Sequence, residues 1–444
     1  MVVDVALPEV LLVRILVGLV VVGDRWMVVL VGVSSHHVSD LFFWPVVVGN
    51  VSVLVLMDDG LVIVGVGQRP HLANRRGVEL RVYSLPWRVL SSGPWWTTEG
   101  WPTRRVRFSR ASSPACRMDP DPMTVTVGIA GDTMLGRGVA ERLSWMDPQD
   151  LVSTGVVDAA HEADVLVLNL ECCISERGKP CPIQGKPFFF RAPPVAVDAL
   201  VHLGVACVTM ANNHALDYGE IALLDTFQHL ASANISCVGA GADVSMARAP
   251  AVLDAEGFRL AILGVTDHPE EFAASPDRPG VAFADLREEV PPWVLATVER
   301  ARAEADAVLV SPHWGPNMSP EPVGHVRVAA DELAAAGATI VAGHSAHVFQ
   351  GISGRILFDV GDFLDDYAID PVLRNDLGLL FLITLDEEGP LRLQAVPLAL
   401  DHCVTRLATE EDAGWIRRRF RSACRAFGTE VMEEGGRLVV TYRS

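Results

Sequence analysis

The chain has 444 residues, half of them apolar, and a formal net charge of -19 at pH 7. That length can bury a large core and that apolar content argues against a disordered chain, while the acidity argues against a broad nucleic-acid interface, because phosphates repel such a surface. The eight cysteines form no CxxC pair, which argues against a zinc ribbon or a thioredoxin-like centre and fits reduced thiols.

Residues 1–122 differ in character from the rest. They hold Val/Leu/Gly runs such as Val46 to Gly67, then an Arg/Trp/Pro/Ser stretch with Trp95, Trp96 and Trp101. Their 12 basic and 10 acidic side chains nearly balance, so the acidity belongs to the part that follows. The longest uncharged run, Leu41 to Met57, is shorter than the roughly 20 residues of a spanning helix and contains Pro45 and Gly49. Asp4 and Glu9 stand where a signal peptide carries cations. Three readings compete for this segment: disordered or upstream sequence translated ahead of a start at Met118 or Met123, an anchor-like segment, and a separate β-rich domain. The first puts the protein in the cytoplasm, and the second makes it membrane-associated or exported. A second domain is expected over residues 123–430.

From Met123 the chain repeats one pattern: a short β-branched apolar run, read as a buried strand, ends abruptly in polar or metal-ligating side chains and is followed by a helical stretch. This is an α/β design, in which ligands gather beyond the carboxyl ends of the strands. The first run, from Thr124, ends in Gly131-Asp132; alone it is weak, since a helix N-cap accounts for the aspartate equally well. The second, from Asp164, ends in Asn169-Leu-Glu171, and period-2 alternation sends Asn169 and Glu171 to the same side. The third, from Val205, ends in Asn212-Asn213-His214 with Asp217 close behind, and is the most specific single motif. After it, Glu220 to Asn234 reads as an amphipathic helix with Ile221, Leu224, Phe227 and Leu230 inward. Later runs end in Asp267-His268, in His313, and in Gly343-His344 with His347 three places on. Two imidazoles so close behind a strand point to a metal or a catalytic task. Asp362, at a Gly-Asp strand end, reads as a residue orienting the ligands. Leu379 to Leu400 reads as two further strands, and Glu410 to Phe427 as a helix with Arg417, Arg418, Arg419 and Arg421 on a solvated face.

Asp132, Glu171, Asn213, His313, His344 and His347 form a nitrogen and oxygen donor set suited to one or two divalent ions, Mn, Fe or Zn. Two such ions can clamp a phosphoryl group and activate water, and His214 could protonate the leaving oxygen. Lys186, one of only two lysines, and Arg191 lie in a Pro/Gly-bounded loop that could hold a phosphate or carboxylate. Cys172, Cys173 and Cys181 sit near Glu171 and read as inert buried thiols.

Taken together, GDTMLGR (Gly131 to Arg137), NLE (Asn169 to Glu171), KPFFFRAPP (Lys186 to Pro194), ANNHALDYG (Ala211 to Gly219), SPHWG (Ser311 to Gly315), GHSAHVFQG (Gly343 to Gly351) and FDVGDF (Phe358 to Phe363) resemble the CapA family of capsule and poly-γ-glutamate biosynthesis proteins, in the family's order. The resemblance implies a two-sheet α/β/β/α sandwich of metallophosphoesterase type, preceded by the N-terminal segment. It places Asp132, Glu171, Asn213, His313, His344 and His347 on metal positions and His214 on the proton donor. Asn169 joins Lys186 and Arg191 as a substrate contact, with Asp217, Asp362 and His268 in support. Calcineurin-like metallophosphoesterases carry Asp-x-His in the first motif, whereas Met134 stands two places after Asp132 here, so one ligand of the first metal is missing. GHSAHV replaces GxHPHV, and GDF replaces GNF. The implied function is a metal-dependent hydrolase acting on an anionic small molecule or polymer. The alternative is a non-catalytic accessory factor that binds an acidic polymer or a synthase complex in capsule assembly.

Overall fold

A computed structural model describes residues 123–443 apart from Gln184, together with the backbone of seven strands in the first 122 residues. The chain divides into two compact units, Met1–Arg117 and Met118–Ser444. In the first, β1 (Val2–Leu7), β2 (Leu11–Val22) and β3 (Arg25–Val31) form one antiparallel sheet. A second sheet there contains β4 (Phe43–Val48), β5 (Val51–Asp58), β6 (Leu61–Gln68) and β7 (Arg81–Pro86). The rest of residues 1–122 lies outside the described residues, so the disordered, upstream and anchor-like readings of the segment fall partly on these strands and partly outside the described residues. Among the described residues no helix is long and apolar enough to cross a membrane.

The second unit is a mixed α/β domain with two large sheets. The larger runs in the order β13 (Ser236–Val238), β12 (Val205–Thr209), β9 (Val165–Leu170), β8 (Val125–Thr133), β23 (Leu377–Asp386), β24 (Gly389–Asp401), β27 (Arg437–Thr441) and β26 (Met432–Glu434). To it β22 (Asp362–Leu364) adds beside the end of β8, and β25 (Val404–Leu407) beside β24. Strands β8, β9, β12 and β13 are parallel, and β23 turns antiparallel to β8. The smaller sheet has the order β15 (Ala251–Ala255), β16 (Phe258–Thr266), β18 (Ala307–His313), β19 (Ile340–Ala342), β21 (Ile356–Leu357) and β20 (Ile352–Ser353), with β16, β18, β19 and β21 parallel. Two short ladders, β10 (Cys173–Ile174) with β11 (Arg191–Ala192) and β14 (Ala240–Gly241) with β17 (Gly280–Val281), stand apart from them.

Strand alternation decides the layering. Val125, Val127 and Ile129 of β8 share one buried apolar cluster with Leu260 and Ile262 of β16, so these faces of the two sheets pack on each other. The same cluster takes Ile416, Phe420 and Cys424 of α8 (Glu410–Arg425). On the other face of the large sheet, Leu166, Leu168 and Val208 pack on α1 (Arg137–Arg142), α2 (Thr154–Ala160), α3 (Ala196–His202) and α4 (Gly219–Ser232). The short α5 (Val244–Arg248) starts at Asp243, whose side chain accepts from the Met246 amide. Beyond the smaller sheet, Leu263, Val308 and Val310 meet α6 (Pro292–Glu304) and α7 (Gly324–Ala335).

Two expectations from helical periodicity fail. Helix α4 turns Ala222, Leu223, Thr226 and Leu230 inward, while Ile221 is 42% exposed. The cause is a set of hydrogen bonds: Thr226 Oγ1 accepts from the Ile174 amide at 2.8 Å and Asp225 accepts from Ser175 Oγ at 2.6 Å, which fixes the helix rotation about small residues. Nor do the α8 arginines form a free solvated face. Arg417 pairs with Glu433 at 3.1 Å, Arg419 donates to the Pro320 carbonyl at 2.8 Å and Arg421 to the Val431 carbonyl at 3.2 Å, leaving Arg418 exposed.

Candidate metal centre

Strand register assembles the site. In the large sheet Asp132 stands opposite both Asn169 and Asp362. In the smaller sheet Thr266 stands opposite His313, and His313 bridges to His344. Two rows of polar residues therefore occupy the carboxyl ends of the parallel strands, where loops can carry polar groups on a rigid frame. Close backbone approach tightens the first row: the Asp132 amide donates to the Gly361 carbonyl at 3.0 Å, and a Cβ at Gly131 would fall 1.8 Å from that oxygen.

Asp132 is fully buried. Its Oδ1 accepts from Asn169 Nδ2 at 2.8 Å and lies 3.6 Å from His344 Nδ1. Its Oδ2 accepts from the Ser345 amide at 3.2 Å and lies 3.3 Å from His347 Nδ1, which is also 2.8 Å from Asp362 Oδ1. His313 Nδ1 and His344 Nδ1 are 2.8 Å apart. Glu171 is fully buried, with Oε1 3.9 Å from both His214 Nε2 and His313 Nε2, and neither of its oxygens has a hydrogen-bond partner. The donor atoms of Asp132, His313 and His344 lie within 4.8 Å of one another, as do those of Asp132, Glu171 and His347. Asn213 Oδ1 and Asp362 Oδ2 are likewise buried without a partner. Leaving a buried carboxylate unpartnered costs at least about 1–3 kcal/mol, and a divalent cation offers these oxygens what the protein does not. These buried Asp, Glu and His groups fit a metal ion.

The charge pattern agrees. Burial raises Asp132, but the hydrogen bond and charge of His347, with the Asn169 hydrogen bond, help hold the carboxyl below its usual range. Burial, reinforced by Asp132, pushes Glu171 well above its usual range. Burial pushes His313 well below the ordinary imidazole value and His344 down to about 4, so both are neutral with lone pairs to offer. For His347 burial works downward, but Asp362 and Asp132 outweigh it and raise the group well above its ordinary value. Without a metal, then, His347 is the cation of the cluster.

A second arrangement surrounds His214. Its Nδ1 is 2.6 Å from Asp217 Oδ2, which also accepts from the Phe190 amide at 2.6 Å. Lys186 Nζ lies 3.2 Å from Asp217 Oδ1 and donates to the Asn213 carbonyl at 2.7 Å. Burial lowers the His214 pKa against the opposing pull of Asp217. The Phe190 ring stands edge-on to His214 at 4.5 Å.

The family model described as "Bacterial capsule synthesis protein PGA_cap" matches residues 126–367, which include every residue of the candidate centre. The chain belongs to the PGA_cap family. A probable polyglutamine synthesis accessory protein of Mycobacterium tuberculosis (strain H37Rv) is 31% identical over 376 residues, 72% of this chain and 97% of that one. The PGA biosynthesis protein CapA of Bacillus subtilis is 29% identical, with 68% of this chain and 78% of that one covered. The capsule biosynthesis protein CapA of Bacillus anthracis is 28% identical, with coverage of 66% and 71%.

Within the PGA_cap domain, Asn169 and Arg191 are engaged by protein partners. Asn169 has both ends of its amide engaged, Nδ2 donating to Asp132 and Oδ1 accepting from Asn212 Nδ2 at 2.9 Å, so it braces a candidate ligand. Arg191 donates to the Arg177 carbonyl at 3.1 Å and lies 4.2 Å from the Tyr218 ring centre. His268 pairs with Asp267, and its ring is 5.1 Å from that of His313. Met134 is fully buried in the apolar cluster beneath the helices and supplies no ligand. Cys172 and Cys173 are buried, and burial pushes both thiols up, Cys173 to about 12.

Sequence reasoning gave no role to Asp359 in the segment FDVGDF. Its carboxylate accepts from the amides of Ala346 at 2.8 Å and Gly361 at 2.9 Å, and so pins the turn in which Ser345 and His347 hold positive φ of 112° and 58°. Only the spacing of that aspartate from the Gly-Asp strand end could have signalled this.

Proposed function

We propose that this PGA_cap protein is a metal-dependent hydrolase of phosphoesterase type, built on a metallophosphoesterase-type sandwich, that acts on an anionic small molecule or polymer in capsule or poly-γ-glutamate biosynthesis. The observation that carries this reading is Glu171, a fully buried carboxylate with both oxygens unpartnered between the imidazoles of His214 and His313. Such a group weakens a fold unless a cation sits there, and a scaffold that only binds a polymer gains nothing from it.

Asp132, Glu171 and His347 would hold one divalent ion and Asp132, His313 and His344 a second, with Asn213 as a further oxygen donor; Mn, Fe or Zn suits these donors. Bound there, the metal supplies Lewis-acid polarisation of a phosphoryl oxygen and a water that is nucleophilic near neutral pH. His214 holds the proton for the leaving oxygen on Nε2, while Asp217 fixes the ring through Nδ1 at 2.6 Å. Lys186, nine-tenths buried along its side chain, brings positive charge beside His214 and Asp217 for an anionic substrate. Phe190 walls the imidazole against water.

The second reading is a non-catalytic accessory factor, and the name of the mycobacterial relative, a probable synthesis accessory protein, favours it. The His214→Ala variant separates the two. With Mn²⁺ and an aryl phosphodiester, turnover falls by about a hundredfold or more while metal content stays near that of the wild type. Undiminished turnover removes His214 from the mechanism, and a wild type inert toward a full panel of phosphoesters leaves the accessory reading.

A further inference from the structure

Arg137 closes the segment GDTMLGR and was assigned no task by the sequence. Its backbone holds a positive φ of 49°, a conformation that a long side chain rarely adopts without a local reason. Its Nε lies 3.1 Å from Asp366 Oδ2, which anchors the head group, whereas Nη1 is buried and has no hydrogen-bond partner. The guanidinium carbon stands 4.8 Å from the centre of Phe188, 5.2 Å from Phe190 and 5.9 Å from Tyr367. Stacking on rings stabilises a guanidinium but satisfies none of its N–H groups.

Those rings tie Arg137 to the candidate centre. Phe190 also packs on His214 at 4.5 Å, and Tyr367 on His347 at 5.1 Å. The guanidinium therefore rests on an aromatic wall that backs two imidazoles of the site. Neighbouring cations are already engaged: Lys186 with Asp217 and the Asn213 carbonyl, Arg191 with the Arg177 carbonyl, and Arg177 with Asp225. A salt bridge to Asp366 alone would need Nε and leaves the orphan donor unexplained.

We propose that Arg137 is a specificity-determining residue that binds a second oxyanion of the substrate, a carboxylate or a phosphate, one aromatic ring away from the group held at the metal cluster. The inference rests on the hydrolase reading above. A planar guanidinium fixed at Nε with a buried, unpartnered Nη1 is preorganised for an oxyanion, and the half-exposed Phe188 ring lies against it.

The test is calorimetric titration of the full chain loaded with Mn²⁺. Three probes serve: methylphosphonate with one oxyanion, 3-phosphonopropionate with an added carboxylate, and ethylene-1,2-diphosphonate with an added phosphonate. The wild type binds at least one two-anion probe about tenfold or more tightly than methylphosphonate, as one charge-assisted hydrogen bond allows. In Arg137→Gln that ratio falls to about one, and Arg137→Lys retains part of it; the probe that loses its advantage identifies the second group. If Arg137→Gln does not fold, shown by its melting curve, Arg137→Lys carries the comparison through a reduced ratio. The proposal is overturned if the wild type shows no advantage for either two-anion probe, or if the variants keep it, while methylphosphonate binding remains Mn²⁺-dependent. Binding of all three probes that ignores Mn²⁺ refutes the hydrolase reading itself, and this proposal with it.

Discussion

Replacing Glu171 by glutamine removes one charge from the centre of the cluster and leaves the side-chain volume almost unchanged. In the metal-free protein the folded carboxyl titrates well above its ordinary value of 4.5, so the folded state is penalised at every pH above that value. The penalty grows as pH rises toward the folded pKa and vanishes below the unfolded one. Glu171→Gln should therefore make the metal-free protein more stable at pH 7 by about 1 kcal/mol, the lower end of the cost of an unpartnered buried group, because the amide is left unpartnered too. Metal reverses the order. At a free ion concentration a hundredfold above Kd, binding stabilises the wild type by about 2.7 kcal/mol, and with an unfolding entropy of about 0.7 kcal/mol/K for a unit of this size the melting temperature rises by about 4 °C. Differential scanning calorimetry with EDTA and with Mn²⁺ reads both effects. The wild type should gain about 4 °C and Glu171→Gln about 1 °C or less. Equal gains would refute the assignment of Glu171 to the ion.

Gly131→Ala places a methyl group 1.8 Å from the Gly361 carbonyl oxygen, a backbone atom that cannot swing aside as a side chain could. Its expected cost is about 3 kcal/mol or more, seen as a melting temperature at least about 4 °C lower; a neutral substitution would show that β8 and the Gly361 turn are not so close. Asp225 is held at about 2 by its hydrogen bonds to Arg177, whose side chain is 59% exposed. A depressed carboxyl contributes stability above its unfolded value of 3.8 and loses it as pH falls through about 2. Urea titration of Asp225→Asn should show a loss of about 1 kcal/mol at pH 7, after allowance for solvent screening, shrinking on acidification; a loss that grew toward acid would contradict the sign.

Much of the site was legible because strands advertise their ends. Asp132, Glu171, His313, His344 and His347 each lie at or just beyond the end of an apolar run, and their donor atoms come within 4.8 Å of one another in two overlapping groups. Side-chain direction was less legible. Helix periodicity turned Ile221 inward, whereas the Thr226 and Asp225 hydrogen bonds rotate it out, and such bonds to a distant strand leave no local mark in the sequence. Partner choice was hidden for the same reason. Asn169 and Arg191 have the right chemistry for an anion, yet Asn212 and the Arg177 carbonyl engage them first. Arg137 was passed over because its value lies in what it lacks, a partner for Nη1.

The shortest route to a decision is elemental analysis of the full chain, stripped with EDTA, reconstituted with Mn²⁺ and desalted, beside Asp132→Ala and His347→Ala. One to two equivalents should stay on the unmodified protein, and both replacements should lose at least one, because these side chains approach within 3.3 Å of each other. Full Mn²⁺ retention by both variants, or none by the parent chain, would mean that the buried acids and imidazoles do not hold a cation.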